Sequence, residues 1–324
     1  MPELAGRNLA RRARDALLEY VGVLTVLIGL VAFFSLNQHR FFTVANLWNV
    51  LDGSAILVIV GVGLTFTMLV GGFDLSIGGV LALGGVFLWL LLDHGVPLWA
   101  AIPSVVLAGI AFGAIVTGFP IAVLGVSFFV VTLGVLVATR GLAFVITDGE
   151  VKGLYDNEAL RSLGNGRIGD VTYPVIIALV VLLLGVVVTR YTGYGRMLYA
   201  VGGNTEAARL AGIDVTMVRL STYAISAGLA AFAGVIEAGR LAAASPNADQ
   251  GIEFSAAAAA LLGGTSFVGG IGTMIGTFLG VIFLGVLKNG LIIASISVYW
   301  QGVITGVVLF ASVLIDRFRR RGRA

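Results

Sequence analysis

Long apolar runs alternate with short polar stretches along almost the whole chain. A helix needs about 20 apolar residues to cross a hydrocarbon layer about 30 Å thick. By that measure the runs predict ten helical spans, over residues 17–36, 54–72, 76–92, 98–118, 127–147, 174–191, 217–238, 255–268, 272–294 and 298–315. The third and eighth are short and rich in Gly or Ala, so half-helices or re-entrant segments are the alternative there. The pattern predicts an all-α integral membrane bundle, formed as a single domain over residues 1–324.

The overall composition supports the same fold class. Hydrophobic residues make up 58% of the chain and charged residues 11%, and the mean hydropathy is +1.04. Soluble domains carry about 25% charged residues, because their surfaces face water. The chain has no cysteine and only two isolated histidines, so disulfides, thiolate metal sites and His-based metal motifs are excluded. The sequence also lacks a plausible Ser/His or paired-Asp arrangement, so we expect neither a metal site nor an enzyme.

Basic residues predict how the bundle is oriented, because they concentrate on the cytoplasmic side of membrane proteins. They gather before the first span, between the sixth and seventh spans, and after the last span: Arg7, Arg11, Arg12, Arg14, Arg190, Arg196, Arg209, Arg219, Arg317, Arg319, Arg320, Arg321 and Arg323. With ten spans, all three groups fall on one face, so both termini and a loop at about 193–216 are expected in the cytoplasm. The loop at about 148–172 carries five acidic and three basic residues and is expected outside. A cleavable signal peptide is the alternative at the N-terminus, but its apolar run lacks an A-x-A site, which favours a retained helix.

Glycine is abundant, with 46 residues, and its spacing predicts close helix packing. Small residues four apart let membrane helices approach closely, and this spacing occurs at Gly109/Gly113, Gly272/Gly276/Gly280 and Gly302/Gly306. Glycine pairs at 71–72, 263–264 and 269–270 lie instead at span ends. A broken helix at such a place can expose backbone groups to a polar substrate.

The loop between the sixth and seventh spans contains a short helix motif. Glu206, Ala207 and Ala208 are followed, after three residues, by Gly212. Thr205 is expected to cap the helix, Glu206 suits its positive N-terminal end, and Gly212 can end it. The motif resembles the EAA---G loop of ABC importer permeases, which docks onto a soluble partner. An ordinary amphipathic loop helix is the alternative.

Five motifs, one of which contains this EAA segment, resemble permeases of ABC importers for ribose and other simple sugars. Residues 71–78 read GGFDLSIG, similar to the family's GGIDLSVG, and 129–134 read FVVTLG with RGL following at 140–142. Residues 200–213 read AVGGNTEAARLAGI, 262–272 read LGGTSFVGGIG, and Trp300 and Gln301 stand where the family has a similar pair. The motifs follow the family's order over nearly the whole chain.

The resemblance implies a type II-like permease subunit in a bacterial inner membrane, importing a monosaccharide by alternating access. It implies three partners: a cytoplasmic ATPase with tandem nucleotide-binding domains, an extracytoplasmic sugar-binding protein and a second permease copy. The chain lacks a GxxxxGK[ST] loop, so ATP and Mg²⁺ are expected on the ATPase and no cofactor on this chain. The alternatives are a branched-chain amino-acid permease, a self-contained secondary transporter or channel, and, least favoured, an intramembrane enzyme.

The resemblance also assigns candidate residues. Coupling to the ATPase is expected from Gly202, Gly203, Asn204, Glu206, Ala207, Ala208, Arg209 and Gly212. A neutral polyol needs hydroxyl and amide partners rather than full charges, and the pathway candidates are Asp74, Ser76, Thr132, Arg140, Asn289, Trp300 and Gln301.

Ionisable residues at membrane depth are functional candidates by default. For Asp74 the alternative is a helix cap shared with Ser76, and for Arg140 it is a structural pairing with a carboxylate. Glu237, near a span end, is expected to be solvated or ion-paired. Lys288 stands where the family has Asn, and it costs about 3 kcal/mol to insert unless it finds water or a partner.

Overall fold

Residues 21–321 are described in a computed structural model, without the side chains of Val298 and of residues 315–321. The N-terminal basic group, the start of the first predicted span and Arg323 lie outside the described residues. The described chain is mainly helical, and its helices are α1 Val21–Asn37, α2 Val44–Leu69, α3 Ile77–Asp93, α4 Leu98–Ala122, α5 Phe128–Thr147, α6 Glu158–Asn165, α7 Tyr173–Tyr191, α8 Gly193–Gly203, α9 Thr205–Leu210, α10 Val215–Leu241, α11 Ile252–Leu262, α12 Met274–Ile293 and α13 Val298–Arg321.

Six of these helices are long and apolar enough to cross a membrane: α2, α4, α5, α7, α10 and α12. Four shorter apolar stretches accompany them, namely α1, α3, α11 and the part Tyr299–Leu314 of α13. The predicted polytopic helical bundle is therefore confirmed. The short third and eighth spans are also confirmed as short, since α3 has 17 residues and α11 has 11.

Two of the predicted boundaries were wrong. The second span was expected from residue 54, but α2 begins at Val44, where the Thr43 side chain caps it by accepting from the Asn46 backbone N–H at 3.2 Å. Asp52 therefore lies inside a helix. The eighth span was expected over 255–268, but α11 ends at Leu262. At about 1.5 Å per residue its 11 residues reach about 16 Å, half of a hydrocarbon core.

The centre of the bundle is formed by α2 and α10. In their most apolar stretches 78% and 67% of residues are buried, against 28% in each of α4, α5 and α7. Backbone contacts permit this burial. A Cβ placed on Gly84 of α3 would lie 2.9 Å from the Ala231 backbone of α10, and one on Gly109 of α4 would lie 2.9 Å from the Ala227 carbonyl oxygen. Small residues thus set the helix spacing, as predicted.

The glycine spacing was predictive in α4 and α12 but not in α13. Gly276 of α12 packs against the Gly263 backbone and Gly280 against the Ala259 backbone. By contrast, a Cβ placed on Gly302 or Gly306 would meet no atom within 4 Å in the described part of the chain.

Neighbouring contacts give the helix directions. Gly109 of α4 lies beside Ala231 of α10 and Gly118 beside Leu220, so these two helices are antiparallel. Leu81 of α3 contacts Gly234 of α10 and Gly85 contacts Ala238, so these two are parallel. These directions define two ends of the bundle. The α9 end carries α8 and α9, and the opposite end carries residues 148–172.

The predicted loop at 148–172 is largely structured. It contains α6 and the paired strands β2 Arg167–Ile168 and β3 Val171–Thr172, together with β1 Lys152–Gly153. The β1 strand pairs antiparallel with β4 Ala243–Ala244, directly after α10. The Asn165 side chain of α6 also donates to the Gly239 and Arg240 carbonyls at 3.0 and 3.1 Å. The loop is thereby fixed to the end of the central helix.

Candidate functional site

A six-residue helix, α9, stands where the EAA motif predicted one. The cap, however, is Asn204 rather than Thr205, since Asn204 Oδ1 accepts from the Ala207 backbone N–H at 2.9 Å. The Thr205 hydroxyl has other partners. It donates to the Val201 carbonyl at 2.9 Å and accepts from Arg219 of α10 at 3.0 Å. Asn and Thr both form N-caps, so the cap predicted from the sequence was displaced by one residue from the observed cap.

The outer face of α9 is exposed and charged. Glu206 lies in its first turn and forms an ion pair with Arg209 at 3.2 Å, and both side chains are more than 60% exposed. Ala208 faces inward and is buried. Gly212 follows with φ of +84°, a left-handed conformation that ends the helix as predicted. The outcome is a small helix that presents one face outside the bundle.

The helix α8 connects this small helix to the bundle core. Its Leu198 and Val201 are fully buried, and its Tyr194 hydroxyl bonds Ser221 of α10 at 2.6 Å. Burial raises the pKa of the Tyr194 hydroxyl above its usual range, so this group stays a neutral hydrogen-bonding partner. If α9 moves relative to α10, these contacts of α8 must therefore either break or move along with α9.

Three motif segments meet at the end of α8. Gly202 lies against the Leu69 carbonyl at the end of α2 and against Gly270, in the turn after α11. The Gly270 backbone N–H also donates to the Leu69 carbonyl at 2.9 Å. We call the contact between Gly71, Gly202, Gly269, Gly270 and the Leu69 carbonyl the glycine junction. The sequence predicted glycine pairs open to a substrate, whereas these glycines pack on one another.

Gly202 and its neighbour Gly203 have different surroundings. A Cβ placed on Gly202 would overlap backbone atoms, whereas one placed on Gly203 would meet nothing within 4 Å. Three glycines were predicted to take part in coupling: Gly202, Gly203 and Gly212. Only at Gly202 is the space that a side chain would occupy filled by other atoms, since a Cβ on Gly212 would also meet nothing within 4 Å.

Asp74 and Ser76 are brought together in the turn between α2 and α3. Asp74 Oδ1 accepts from the Ser76 backbone N–H at 2.9 Å and from its hydroxyl at 2.5 Å, while Oδ2 accepts from Ser226 of α10 at 2.8 Å. Asp74 and Ser76 are almost completely buried. This geometry matches the structural alternative, in which Asp74 fixes the turn before α3.

Arg140 of α5 crosses to two other segments. Its guanidinium donates to the Gly78 carbonyl of α3 at 3.1 Å and to the Pro246 carbonyl at 3.3 Å. The nearby Glu253 of α11 is buried, and its Oε2 has no hydrogen-bond partner in the described chain. The Arg140 charge acts on this carboxylate. Arg140 therefore combines a structural role with proximity to an unsatisfied acid.

The remaining predicted pathway residues lie apart from these groups. Asn289 of α12 forms two reciprocal side-chain hydrogen bonds with Asn46 of α2, both 2.9 Å. Thr132 of α5 is fully buried, and its hydroxyl has no partner among the described residues. Trp300 is 58% exposed, and the Gln301 amide nitrogen is buried without a partner in the described chain. The structure therefore does not gather all the predicted pathway residues into one place.

Sequence reasoning missed an ionic cluster near the opposite end of the bundle. Arg240 of α10 pairs with Asp52 of α2 at 3.4 Å and with Glu237 at 3.8 Å. Asp249, in the segment after α10, lies within the electrostatic reach of Arg240, Lys288 and Arg140. Glu237 thus has the ion-paired role that the sequence favoured.

Burial raises the pKa of Asp249, an effect that the nearby cations only partly oppose. Its Oδ2 has no hydrogen-bond partner in the described residues. The charged residues Arg240 and Asp249, between the seventh and eighth predicted spans, were the available signal for this cluster, but only the fold shows that they meet Asp52 and Lys288. Among the described residues, no group of three or more acidic or His side chains is placed to hold a metal ion.

The described chain is thus a polytopic helical bundle with a small exposed helix packed against its central helices. The chain belongs to the family described as branched-chain amino acid transport system / permease component, whose model matches residues 46–313.

Curated relatives match nearly the whole chain. The ribose import permease of Escherichia coli K12 is 38% identical over 296 residues, covering 90% of this chain and 92% of the relative. That of Bacillus subtilis is 35% identical over 308 residues, covering 94% of each. The D-allose transport system permease of E. coli K12 is 37% identical over 298 residues, covering 91% of each. No solved structure matches the chain.

Proposed function

We propose that this chain is the membrane-spanning permease subunit of an ATP-driven importer that carries a monosaccharide, ribose or a related simple sugar, into the cytoplasm. The observation that carries the proposal is the 38% identity over 90% of the chain with a ribose import permease. The allose permease supports the same substrate class at similar identity.

The proposed topology has ten spans, formed by the six long apolar helices and the four shorter ones. The helix directions alternate on this scheme, with α4 antiparallel to α10 and α12 antiparallel to α2. Ten spans place the α9 end and both termini on one face, which the basic residues make cytoplasmic. The structured segment 148–172 then lies outside the cell membrane.

The proposed site of coupling is α9. Its exposed Glu206 and Arg209 are positioned to dock onto a cytoplasmic ATPase with tandem nucleotide-binding domains, and that partner binds ATP and Mg²⁺. ATP-driven closure of the partner displaces α9 and re-orients the bundle between its two access states. A second copy of the permease completes the pathway, and a sugar-binding protein delivers substrate at the opposite end.

The proposed sugar contacts centre on Arg140, Asp249 and Glu253 rather than on the whole set of predicted residues. Asp249 Oδ2 and Glu253 Oε2 are buried acceptors without partners in the described chain. Such atoms cost about 1–3 kcal/mol each, and a sugar hydroxyl that reaches them in another access state removes that cost. Asp74 and Asn289 have structural partners instead.

Uptake in proteoliposomes tests the substrate class. The permease is reconstituted with its ATPase and binding protein, and uptake of labelled ribose, allose and leucine is compared. ATP-dependent sugar uptake without leucine uptake is expected. Leucine uptake alone assigns the branched-chain amino-acid function that the family description names, and ion-driven uptake by the permease alone assigns a secondary transporter.

Glu206 variants test the coupling role. Glu206→Ala removes one partner of an exposed ion pair, so the free energy of unfolding is expected to change by less than about 0.5 kcal/mol. Sugar uptake and ATPase stimulation by the loaded binding protein are expected to fall several-fold. Asp93→Ala, at the exposed end of α3, is the control. Unchanged uptake in the Glu206 variant contradicts the coupling role.

A further inference from the structure

The glycine junction joins the segment that carries α9 to the segment that follows the half-helix α11. The Gly270 N–H bond to the Leu69 carbonyl, 2.9 Å long, ties the turn after α11 to the end of α2. Gly202 fills the remaining space between them. Asn204, the cap of α9, follows Gly202 by only two residues. Displacement of α9 therefore begins almost at the junction.

Backbone atoms contact one another in the junction, with no side chain between them. A Cβ placed on Gly269 would lie 2.8 Å from the Gly71 Cα and 3.0 Å from the Gly202 Cα. A Cβ on Gly71 would lie 2.7 Å from the Val268 carbonyl oxygen. Gly71, Gly269 and Gly270 also have φ of +75°, +95° and +72°, which glycine adopts without strain. Three separate segments thus depend on glycine at one place.

A second contact links the same two segments. The Tyr199 hydroxyl of α8 donates to the Gly272 carbonyl at 2.9 Å. Gly272 ends the turn region, immediately before Thr273 caps α12. The end of α8 is therefore attached to the turn through both backbone packing and a side-chain hydrogen bond.

Such a contact transmits displacement efficiently. Side chains absorb small movements by changing rotamer, but packed backbone has no comparable freedom, and close-packed interiors deform little. We propose that Gly202 is a positioning residue for transport, through which movement of α9 reaches the Gly269–Gly270 turn and the half-helix α11. This inference rests on the proposed coupling function of α9 and adds the route by which that coupling reaches the interior of the bundle.

Gly202→Ala is the direct test, and Gly193→Ala is its matched control at the other end of the same helix. A Cβ on Gly193 would meet only the Arg196 side chain, at an ordinary 3.7 Å. In the full reconstituted transporter, Gly202→Ala is expected to lower the maximal uptake rate at least tenfold. The half-saturating concentration of loaded binding protein is expected to stay within twofold. Gly193→Ala is expected to keep uptake within twofold of the unmodified chain.

Uptake by Gly202→Ala within twofold of the unmodified chain overturns the proposal, as does an equal loss in Gly193→Ala. Tyr199→Phe adds no volume and provides a second variant, expected to lower the maximal uptake rate by twofold or more. If the Tyr199→Phe variant transports at the full rate, the hydrogen bond between the Tyr199 hydroxyl and the Gly272 carbonyl has no role in transport.

Hydrogen exchange in the unmodified complex decides the matter even if Gly202→Ala does not fold. Peptides covering 204–211 and 266–272 are followed with and without ATP trapped on the partner. Exchange is expected to change in both segments together, with the Gly270 N–H as the reporter. A change confined to 204–211 overturns the proposal. Because this measurement needs no sugar, it separates failure of the inference from failure of the proposed substrate.

Discussion

Replacing Asn289 with Leu removes two hydrogen bonds, each 2.9 Å, that join the side-chain amides of Asn289 in α12 and Asn46 in α2. Asn46 is 7% exposed and keeps its donation to the Phe41 carbonyl at 2.8 Å, but it loses its other amide partner. Interhelical hydrogen bonds in membranes stabilise by about 0.6 kcal/mol on average and up to about 2 kcal/mol. Asn289→Leu is therefore expected to lower the free energy of unfolding by about 1–2 kcal/mol.

A double-mutant cycle isolates the pair. Asn46→Leu also frees the Phe41 carbonyl, but that loss occurs in both the single and the double variant and cancels. Two bonds at about 0.6 kcal/mol each predict a coupling energy of about 1 kcal/mol between the two positions. Additive effects, with coupling below about 0.3 kcal/mol, refute the inference that these two hydrogen bonds stabilise the contact between α2 and α12.

Unfolding of the purified permease by SDS in mixed micelles measures these free energies. Asn37→Leu is the control, because Asn37 makes only a local bond to the Phe33 carbonyl in an exposed position. The sequence-based alternative, a sugar contact at Asn289, predicts the opposite outcome: a changed KM for uptake with little change in stability. The two roles are thus separable by one pair of measurements.

Three further outcomes are expected for the buried polar groups. Arg140→Met removes the hydrogen bonds that the guanidinium donates to the Gly78 and Pro246 carbonyls, and it is expected to destabilise by about 2–3 kcal/mol in SDS unfolding. A loss below about 1 kcal/mol contradicts this expectation. Asp249→Asn is expected to raise the free energy of unfolding at pH 7. Burial raises the pKa of Asp249 in the folded chain above its ordinary value of 3.8. The unmodified chain therefore loses stability as the pH rises through the pKa of the folded state, and the Asn variant does not. That gain should disappear below pH 3.8, where Asp249 is protonated in both states, and a gain independent of pH contradicts the argument. Ser226→Ala removes the hydrogen bond that its hydroxyl donates to Asp74 Oδ2 and is expected to cost about 2 kcal/mol of unfolding free energy. Thermal unfolding beside Ser104→Ala, which loses an exposed bond within its own helix, checks it, and equal losses in the two variants contradict it.

The helices were largely predictable because apolar runs of membrane length have few alternatives. The start of α2 was not, since Asp52 and its polar neighbours interrupt the apolar run. The helix tolerates Asp52 because Arg240, from a helix far along the chain, supplies the counter-charge. Local hydropathy contains no information about such a partner.

The helix α9, which we propose as the coupling segment, was predictable for a different reason. A cap, a first-turn acid and a terminal glycine act within a few residues of one another, so the sequence itself specifies α9. The cap was assigned to Thr205 rather than Asn204 because the choice depends on Arg219 of α10, which binds the Thr205 hydroxyl. Local signals thus located the element, and a tertiary contact chose between two suitable residues.

The pathway residues were the least predictable part of the site. Asn46 and Asn289 are 243 positions apart, and nothing near Asn289 indicates that its amide is already paired. Similarly, Asp74 is satisfied by Ser226 from another helix. Residue type identifies a group that can bind a polyol, but only the fold shows whether that group is still available.

In the broken helix α11, some polar groups already have protein partners in the described chain and one does not. A helix that ends inside the bundle leaves carbonyl and N–H groups needing partners, and the sequence suggested that a sugar provides them. The turn after α11 instead pairs internally, with the Ser266 N–H bonded to the Ile271 carbonyl and the Gly270 N–H to the Leu69 carbonyl, both at 2.9 Å. The unsatisfied group is at the other end of α11, where Glu253 Oε2 is buried. The half-helix therefore contacts the glycine junction through the turn at its α9 end and carries an unsatisfied carboxylate at its opposite end. These are the two features that our proposal requires of an element that transmits the movement of α9 to a substrate.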